Sequence, residues 1–142
     1  RLVRTPKLYF HDTGLLCRLL GIETEGQLAL HPLRGAIFEN AVASDLLKTR
    51  TNAGQDSNLY FWRDSSGFEI DFIIEKGSAL DALEVKSGKT VTSDSFRSLD
   101  RWPHIARESA GTTWLVYGGD EEYQRSGHRV LPWRNAGEAQ KP

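Results

Sequence analysis

The stretch Phe68-Glu69-Ile70-Asp71-Phe72-Ile73-Ile74, then Gly77-Ser78, then Leu80-Asp81-Ala82-Leu83-Glu84-Val85-Lys86, reads as a β-hairpin. In its first arm strict alternation puts Phe68, Ile70, Phe72 and Ile74 on one face. Gly77-Ser78 is a two-residue connection of the kind that joins antiparallel strands. That turn fixes the register: Lys76 faces Ala79, Ile74 faces Asp81, Phe72 faces Leu83, Asp71 faces Glu84 and Glu69 faces Lys86. Asp71 and Glu84 are thus expected directly opposite one another, on the face away from the four apolar residues. Lys86, two residues beyond Glu84, shares Glu84's face. Opposed residues hold their Cβ atoms roughly 4.5–5.5 Å apart, so two carboxylates there repel unless something positive intervenes.

Working outward, Asp12 or Thr13 can cap a short helix over Leu15–Leu20 that Gly21 ends. Residues 22–34 show no clear pattern, and His31-Pro32 breaks any helix. A helical period runs from Gly35 through Ile37, Phe38, Val42, Leu46 and Leu47 to Lys48–Arg50. Residues 51–58 are a polar loop. Leu59–Arg63 is strand-like, and Asp64-Ser65-Ser66-Gly67 a turn. Ser93 caps a helix through Phe96, Leu99 and Trp102 that Pro103 should break. Residues 112–117 read as a buried strand ended by Gly118-Gly119, His128–Leu131 as an edge strand, and residues from Asn135 as a frayed polar tail. The order is helix, three strands, helix, strand, strand: an α/β layer fold around one sheet. Residues 1–34 form a helical lead-in, 35–134 the α/β core and 135–142 the tail. The chain starts at Arg1 and contains no Met, as expected of a piece of a longer protein.

Composition narrows the function. Among 142 residues, 18 Lys and Arg face 19 Asp and Glu, a formal net charge of −1. Residues 51–100 carry an excess of −4, between segments of +2 and +1. This excludes a basic nucleic-acid arm, a polybasic membrane anchor and an acidic tail. The single cysteine, Cys17, excludes an intrachain disulfide and a cysteine-rich zinc site, and its apolar neighbours make it a small buried hydrophobe. No apolar run approaches the roughly 18 residues of a membrane span, so a cytoplasmic location is expected. No glycine-rich ATP loop is present. The four histidines show no ligand spacing. Tyr60-Phe61-Trp62 could stack bases, but alternate burial in a sheet explains the same run. Arg97, Arg101 and Arg107 could touch phosphates, but a solvated helix face explains them as well.

Chemistry therefore rests on the hairpin. Hard cations such as Mg²⁺ or Mn²⁺ take carboxylate and water oxygens, frequently from only one or two protein carboxylates. Such an ion would relieve the Asp71–Glu84 repulsion and activate a bound water, with Lys86 placed to orient that water or stabilise a phosphate in the transition state. A solvated polar face, with Lys86 paired to Glu69 or Glu84, fits the spacing as well. Glu39, beside Phe38 and Val42 at the start of the long helix, either joins the metal's shell or simply sits favourably near a helix N-terminus.

Asp71 and, thirteen residues on, Glu84-Val85-Lys86 resemble the Asp…Glu-x-Lys signature of the PD-(D/E)xK nucleases. A wider pattern comprises Thr5-Pro6-Lys7-Leu8-Tyr9-Phe10-His11-Asp12-Thr13-Gly14-Leu15-Leu16, His31-Pro32-Leu33-Arg34-Gly35-Ala36-Ile37-Phe38-Glu39-Asn40, Trp62-Arg63-Asp64 and Glu69-Ile70-Asp71-Phe72. It resembles the C-terminal domain of unknown function of bacterial and archaeal AAA-type ATP-binding proteins, a domain assigned to that nuclease superfamily. Ile70 precedes Asp71 where some superfamily members carry Pro. The resemblance implies a restriction-endonuclease-like fold: a mixed β-sheet flanked by helices, built as helix, three strands, helix, strand. It implies Asp71 and Glu84 as metal carboxylates, Lys86 as the catalytic lysine and Glu39 as the first-helix acid. It further implies DNA as substrate, ATP bound only by an upstream ATPase domain, and a homodimer as a possible assembly. A non-catalytic interaction or regulatory module on the same fold is the alternative, favoured by the balanced charge.

Overall fold

A computed structural model describes residues 6–141; the opening Thr5 of the quoted N-terminal pattern, and the rest of 1–5, lie outside the described residues. Four helices, α1 (Thr13–Leu19), α2 (Glu25–Leu30), α3 (Arg34–Asn52) and α4 (Arg97–Ala106), accompany six strands. These are β1 (Leu59–Arg63), β2 (Glu69–Lys76), β3 (Ala79–Lys86), β4 (Ala110–Tyr117), β5 (Tyr123–Arg125) and β6 (His128–Pro132). They form one mixed sheet in the order β1-β2-β3-β4-β6-β5, parallel at β3–β4 and β4–β6 and antiparallel elsewhere. The expected α/β layer architecture is present.

The sheet is buried on both faces. On one, Val42, Ala43 and Leu46 of α3 pack on Phe72, Ile74, Leu83 and Val85. On the other, Leu99 and Trp102 of α4 pack on Ile70, Ile73, Ala82 and Leu115. The hairpin turn lies as expected, with Gly77 at φ 62°, which an L side chain resists. The facing of β2 does not follow strict alternation. Phe68 and Ile70 belong to the α4 face, whereas Phe72 and Ile74 belong to the α3 face. The cause is a bulge: Tyr60 pairs with Ile73 and Trp62 with Ile70, so two steps along β1 answer three along β2. The extra residue falls at the Asp71–Phe72 position, where a bulge re-aims a side chain.

Five further expectations are corrected. The patternless stretch contains α2, started by Thr24 and Gln27 in a reciprocal capping box, a Thr-x-x-Gln signal that Gly26 obscures. Pro103 does not end α4, because one missing bond in a last turn is tolerated while Ile105 and Ala106 still pack on the core. The strand at 128–132 is internal: β5 covers its outer side and takes the edge. The tail is not frayed. Residues Trp133–Gln140 wind as a 3₁₀ helix whose Ala136 and Ala139, three apart on a three-residue turn, are fully buried beside α3. Ending the chain after Asn135 should therefore cost about 2 kcal/mol, read as a lower denaturant midpoint; an unchanged midpoint would contradict the packing. Cys17 is half-buried rather than enclosed. No helix among the described residues is long and apolar enough to cross a membrane.

Candidate active site

The acids gather where β2 and β3 part. The ladder runs as expected from Lys76–Ala79 to Phe72–Leu83 and goes no further. At the next step the Asp71 carboxylate takes the place of backbone, accepting the Val85 N–H at 2.9 Å. The bulge thus turns Asp71 into the gap between the strands rather than out from a flat face. Glu84 is 4% exposed, between Leu83 and Val85 in the middle of the sheet. Lys86 Nζ donates to Glu84 Oε2 at 3.1 Å. Glu69 does not meet Lys86; it pairs with Arg63 and Lys7.

Two packing details fix the lysine's strand end. Gly118 of the β4 end donates to the Lys86 carbonyl, and a Cβ there would lie 2.5 Å from the Ser87 oxygen, so only glycine permits the approach. Arg34, at the start of α3, donates to the same Ser87 carbonyl at 2.8 Å.

The charges are in conflict. Burial, then the neighbouring Glu84 and Glu39 carboxylates, push the Asp71 carboxyl up to about 7, against the opposing pull of the Val85 N–H and Lys86. Burial also raises Glu84, with Lys86 and Ser98 of α4 holding it down. Two carboxylates, both pushed upward and both offering hard oxygen donors, suit a divalent cation, which adds to the positive charge that Lys86 provides.

Glu39 stands on α3, where the sequence places it, but its partners come from an N-terminal strap, residues 6–12. Glu39 Oε1 accepts from Tyr9 Oη at 2.6 Å and from Lys7 Nζ at 3.2 Å. The strap is tied to α3: Asn40 exchanges two hydrogen bonds with the Phe10 backbone, and the Ser44 hydroxyl donates to the His11 carbonyl. Tyr9 stacks obliquely on Phe72, ring centres 5.6 Å apart. Asp71 and Glu84 are brought together; Glu39 is near enough to affect Asp71 but is held by the strap. Among the described residues no three His, Cys, Asp or Glu side chains form a ready-made metal group.

Sequence reasoning quoted Lys7, Tyr9 and Asn40 within the wider pattern without giving them a role, and considered Glu69 only as a partner for Lys86. Lys7 and Tyr9 lie some thirty residues from Glu39, and no periodicity links the two segments. The one usable signal was their spacing of two, which aims both side chains the same way from an extended strap. The other candidates resolve simply. His128 is a satisfied core histidine between Thr113 and Asp100, Trp62 packs on Trp102, and Arg101 lies over the Phe68 ring.

A family model, the domain of unknown function DUF4143, matches residues 34–136, which include α3, the whole sheet and every acid of the site. The chain belongs to the DUF4143 family. The chain is also similar to the uncharacterized proteins Rv2008c of Mycobacterium tuberculosis and Mb2031c of Mycobacterium bovis, each 33% identical over 124 residues, 87% of this chain. The chain spans about a quarter (26%) of the length of these curated relatives. Residues 6–12, which supply Lys7 and Tyr9, precede the matched DUF4143 region.

Proposed function

We propose that this DUF4143 chain is a metal-dependent phosphodiesterase domain of the PD-(D/E)xK, restriction-endonuclease-like kind, acting on DNA as part of a longer AAA-type ATPase in the cytoplasm. The observation that carries it is the Asp71–Glu84 pair, two acids forced together at a bulge with Lys86 on one of them. Structural carboxylates are not placed in mutual repulsion without return; ligands of a cation are.

Asp71 and Glu84 would hold Mg²⁺ or Mn²⁺, which supplies a more acidic water and charge neutralisation at phosphorus. Asp71 is fixed by the Val85 N–H, so its free oxygen has a set direction. Lys86 is 43% exposed at its side chain, while its partner Glu84 is buried. Its ammonium can therefore turn an N–H outward, to hold the attacking water and to stabilise the negative charge that develops on the non-bridging oxygens. The water oxygen would bond to phosphorus as the P–O bond to the leaving group breaks, the water giving up its proton to solvent and the leaving oxygen taking one from solvent.

The test is cleavage of linear, nicked and branched DNA with Mg²⁺ or Mn²⁺, wild type beside Lys86→Ala. Cleavage that falls about 10²-fold or more in the variant is expected. Equal rates, or no cleavage of any substrate, overturn the nuclease reading. A second reading, a non-catalytic interaction module, is favoured by the exposed leucines of the strap and α1–α2: Leu8 is 84% exposed, Leu19 66% and Leu30 88%. Calorimetric titration with Mn²⁺ separates the two, since that module needs no metal.

A further inference from the structure

The strap residues are the part of this site that the proposed chemistry leaves without a task. Lys7 is the only cation hydrogen-bonded to Glu39 among the described residues, and it reaches Glu69 as well. Its ammonium is partly enclosed, with 27% of the side chain exposed, and lies over the Phe61 ring at 5.9 Å. Tyr9 donates to the same Glu39 oxygen, and its ring is fixed on Phe72, immediately after Asp71. The two residues occupy one carboxylate oxygen of Glu39, the acid nearest the Asp71–Glu84 pair on α3.

From this geometry we infer that Lys7 is a resident counter-cation and Tyr9 its companion latch: together they are positioning residues that hold Glu39 on the strap, and a divalent cation entering between Asp71 and Glu84 competes with them for Glu39. This deepens the proposed function and rests on it. It accounts for the split arrangement, in which two acids are adjacent and the third is occupied elsewhere. Lys7 offsets part of the charge on Glu39 and Glu69, with Arg63 also beside Glu69, so the folded chain does not carry four unrelieved carboxylates around one strand end. Lys86 does the same for Glu84. The strap's remaining ties, at Asn40 and Ser44, involve backbone of Phe10 and His11 and need not break for Lys7 and Tyr9 to let go.

The competition is read by calorimetric titration of the folded chain with Mn²⁺, comparing wild type with Lys7→Met, Lys7→Arg and Tyr9→Phe. Tyr9→Phe removes a hydrogen bond to Glu39 without changing any charge, so it separates holding from simple through-space repulsion of the incoming cation. Lys7→Met and Tyr9→Phe are expected to bind Mn²⁺ roughly three- to tenfold more tightly, and Lys7→Arg to return to the wild-type affinity. Circular dichroism on each variant confirms that the strap changes leave the fold intact. If wild type binds Mn²⁺ and both Tyr9→Phe and Lys7→Met bind it equally or more weakly, the competition is overturned and the metal site stands. Tighter binding by Lys7→Met alone also overturns the latch, since charge then explains the effect. If no form of the chain binds Mn²⁺, the metal reading falls and the inference with it.

Discussion

Asp71→Asn should abolish Mn²⁺ binding and lower any DNA cleavage by roughly 10³-fold or more, and yet make the metal-free protein more stable. Loss of function follows from removing one of two ligand carboxylates. The gain in stability follows from the electrostatics. Burial and the Glu84 and Glu39 carboxylates hold Asp71 at about 7, well above the value of an exposed aspartate. The folded chain therefore binds this proton more tightly than the unfolded chain does. By linkage, the wild type keeps that stability in full below about pH 4, loses it as pH rises towards 7, and stays at the lower level above that. The raised Glu84 acts in the same direction. Asparagine keeps an oxygen for the Val85 N–H and carries no charge at any pH. Thermal unfolding without metal should show the variant ahead by on the order of 1–2 kcal/mol at pH 8, with the difference vanishing near pH 4. Added Mn²⁺ should raise the wild-type midpoint at pH 8 and leave the variant's unchanged. A variant less stable than wild type at pH 8 would refute the idea that the acids repel in the empty site.

The same residue shows how much of the molecule was legible beforehand. The hairpin, its turn and its register to Phe72–Leu83 follow from alternation around Gly77-Ser78, since side-chain period and turn length leave little freedom. The long helix follows from its apolar period. The bulge was not legible. Phe68, Ile70, Phe72 and Ile74 alternate without a fault in sequence, and only pairing with the shorter reach of β1 shows that the strand changes face. The site was thus found by a register argument that is one step too long: Asp71 and Glu84 do meet, but through a side chain accepting a ladder N–H instead of through opposed Cβ atoms. The role of the strap was not legible for a different reason. Its hold on Glu39 is a contact between segments thirty residues apart, made by side chains whose local pattern carries no sign of a partner. The 3₁₀ tail was misread because small buried alanines look polar-neutral in a segment that also holds Arg134, Asn135, Glu138 and Gln140.

A second aspartate at a second bulge should respond in the opposite sense. Leu80 pairs with Ala110 and Ala82 with Thr113, so β4 carries one extra residue opposite Asp81. As with Asp71, the carboxylate takes a backbone N–H that the ladder leaves over: Asp81 Oδ1 accepts from Thr112 at 2.8 Å. Here the resemblance between the two acids ends. Asp81 Oδ2 accepts from the Trp114 indole at 3.0 Å and pairs with Lys76 Nζ at 3.2 Å, and Asp81 itself is 3% exposed. Every donor around it is satisfied by its charge, and no second carboxylate opposes it. Asp81→Ala leaves the Trp114 indole N–H and the Thr112 backbone N–H without their acceptor and the Lys76 ammonium with only the Lys141 carbonyl, which should cost about 3–5 kcal/mol. That is a large part of the 5–15 kcal/mol typical of a whole domain, so the variant should unfold at a clearly lower denaturant midpoint. Asp81→Asn should fall between, because its one remaining oxygen cannot serve Thr112, Trp114 and Lys76 together. Paired with Asp71→Asn, it forms a single experiment on two acids, one half-buried and one buried, each at a bulge and each bonded to a strand N–H. Stabilisation at position 71 and destabilisation at position 81 is the expected result at pH 8 without metal. A loss of stability at both would mean that Asp71 is a structural acid like Asp81, and the case for a cation at that end of the sheet would lose its physical basis.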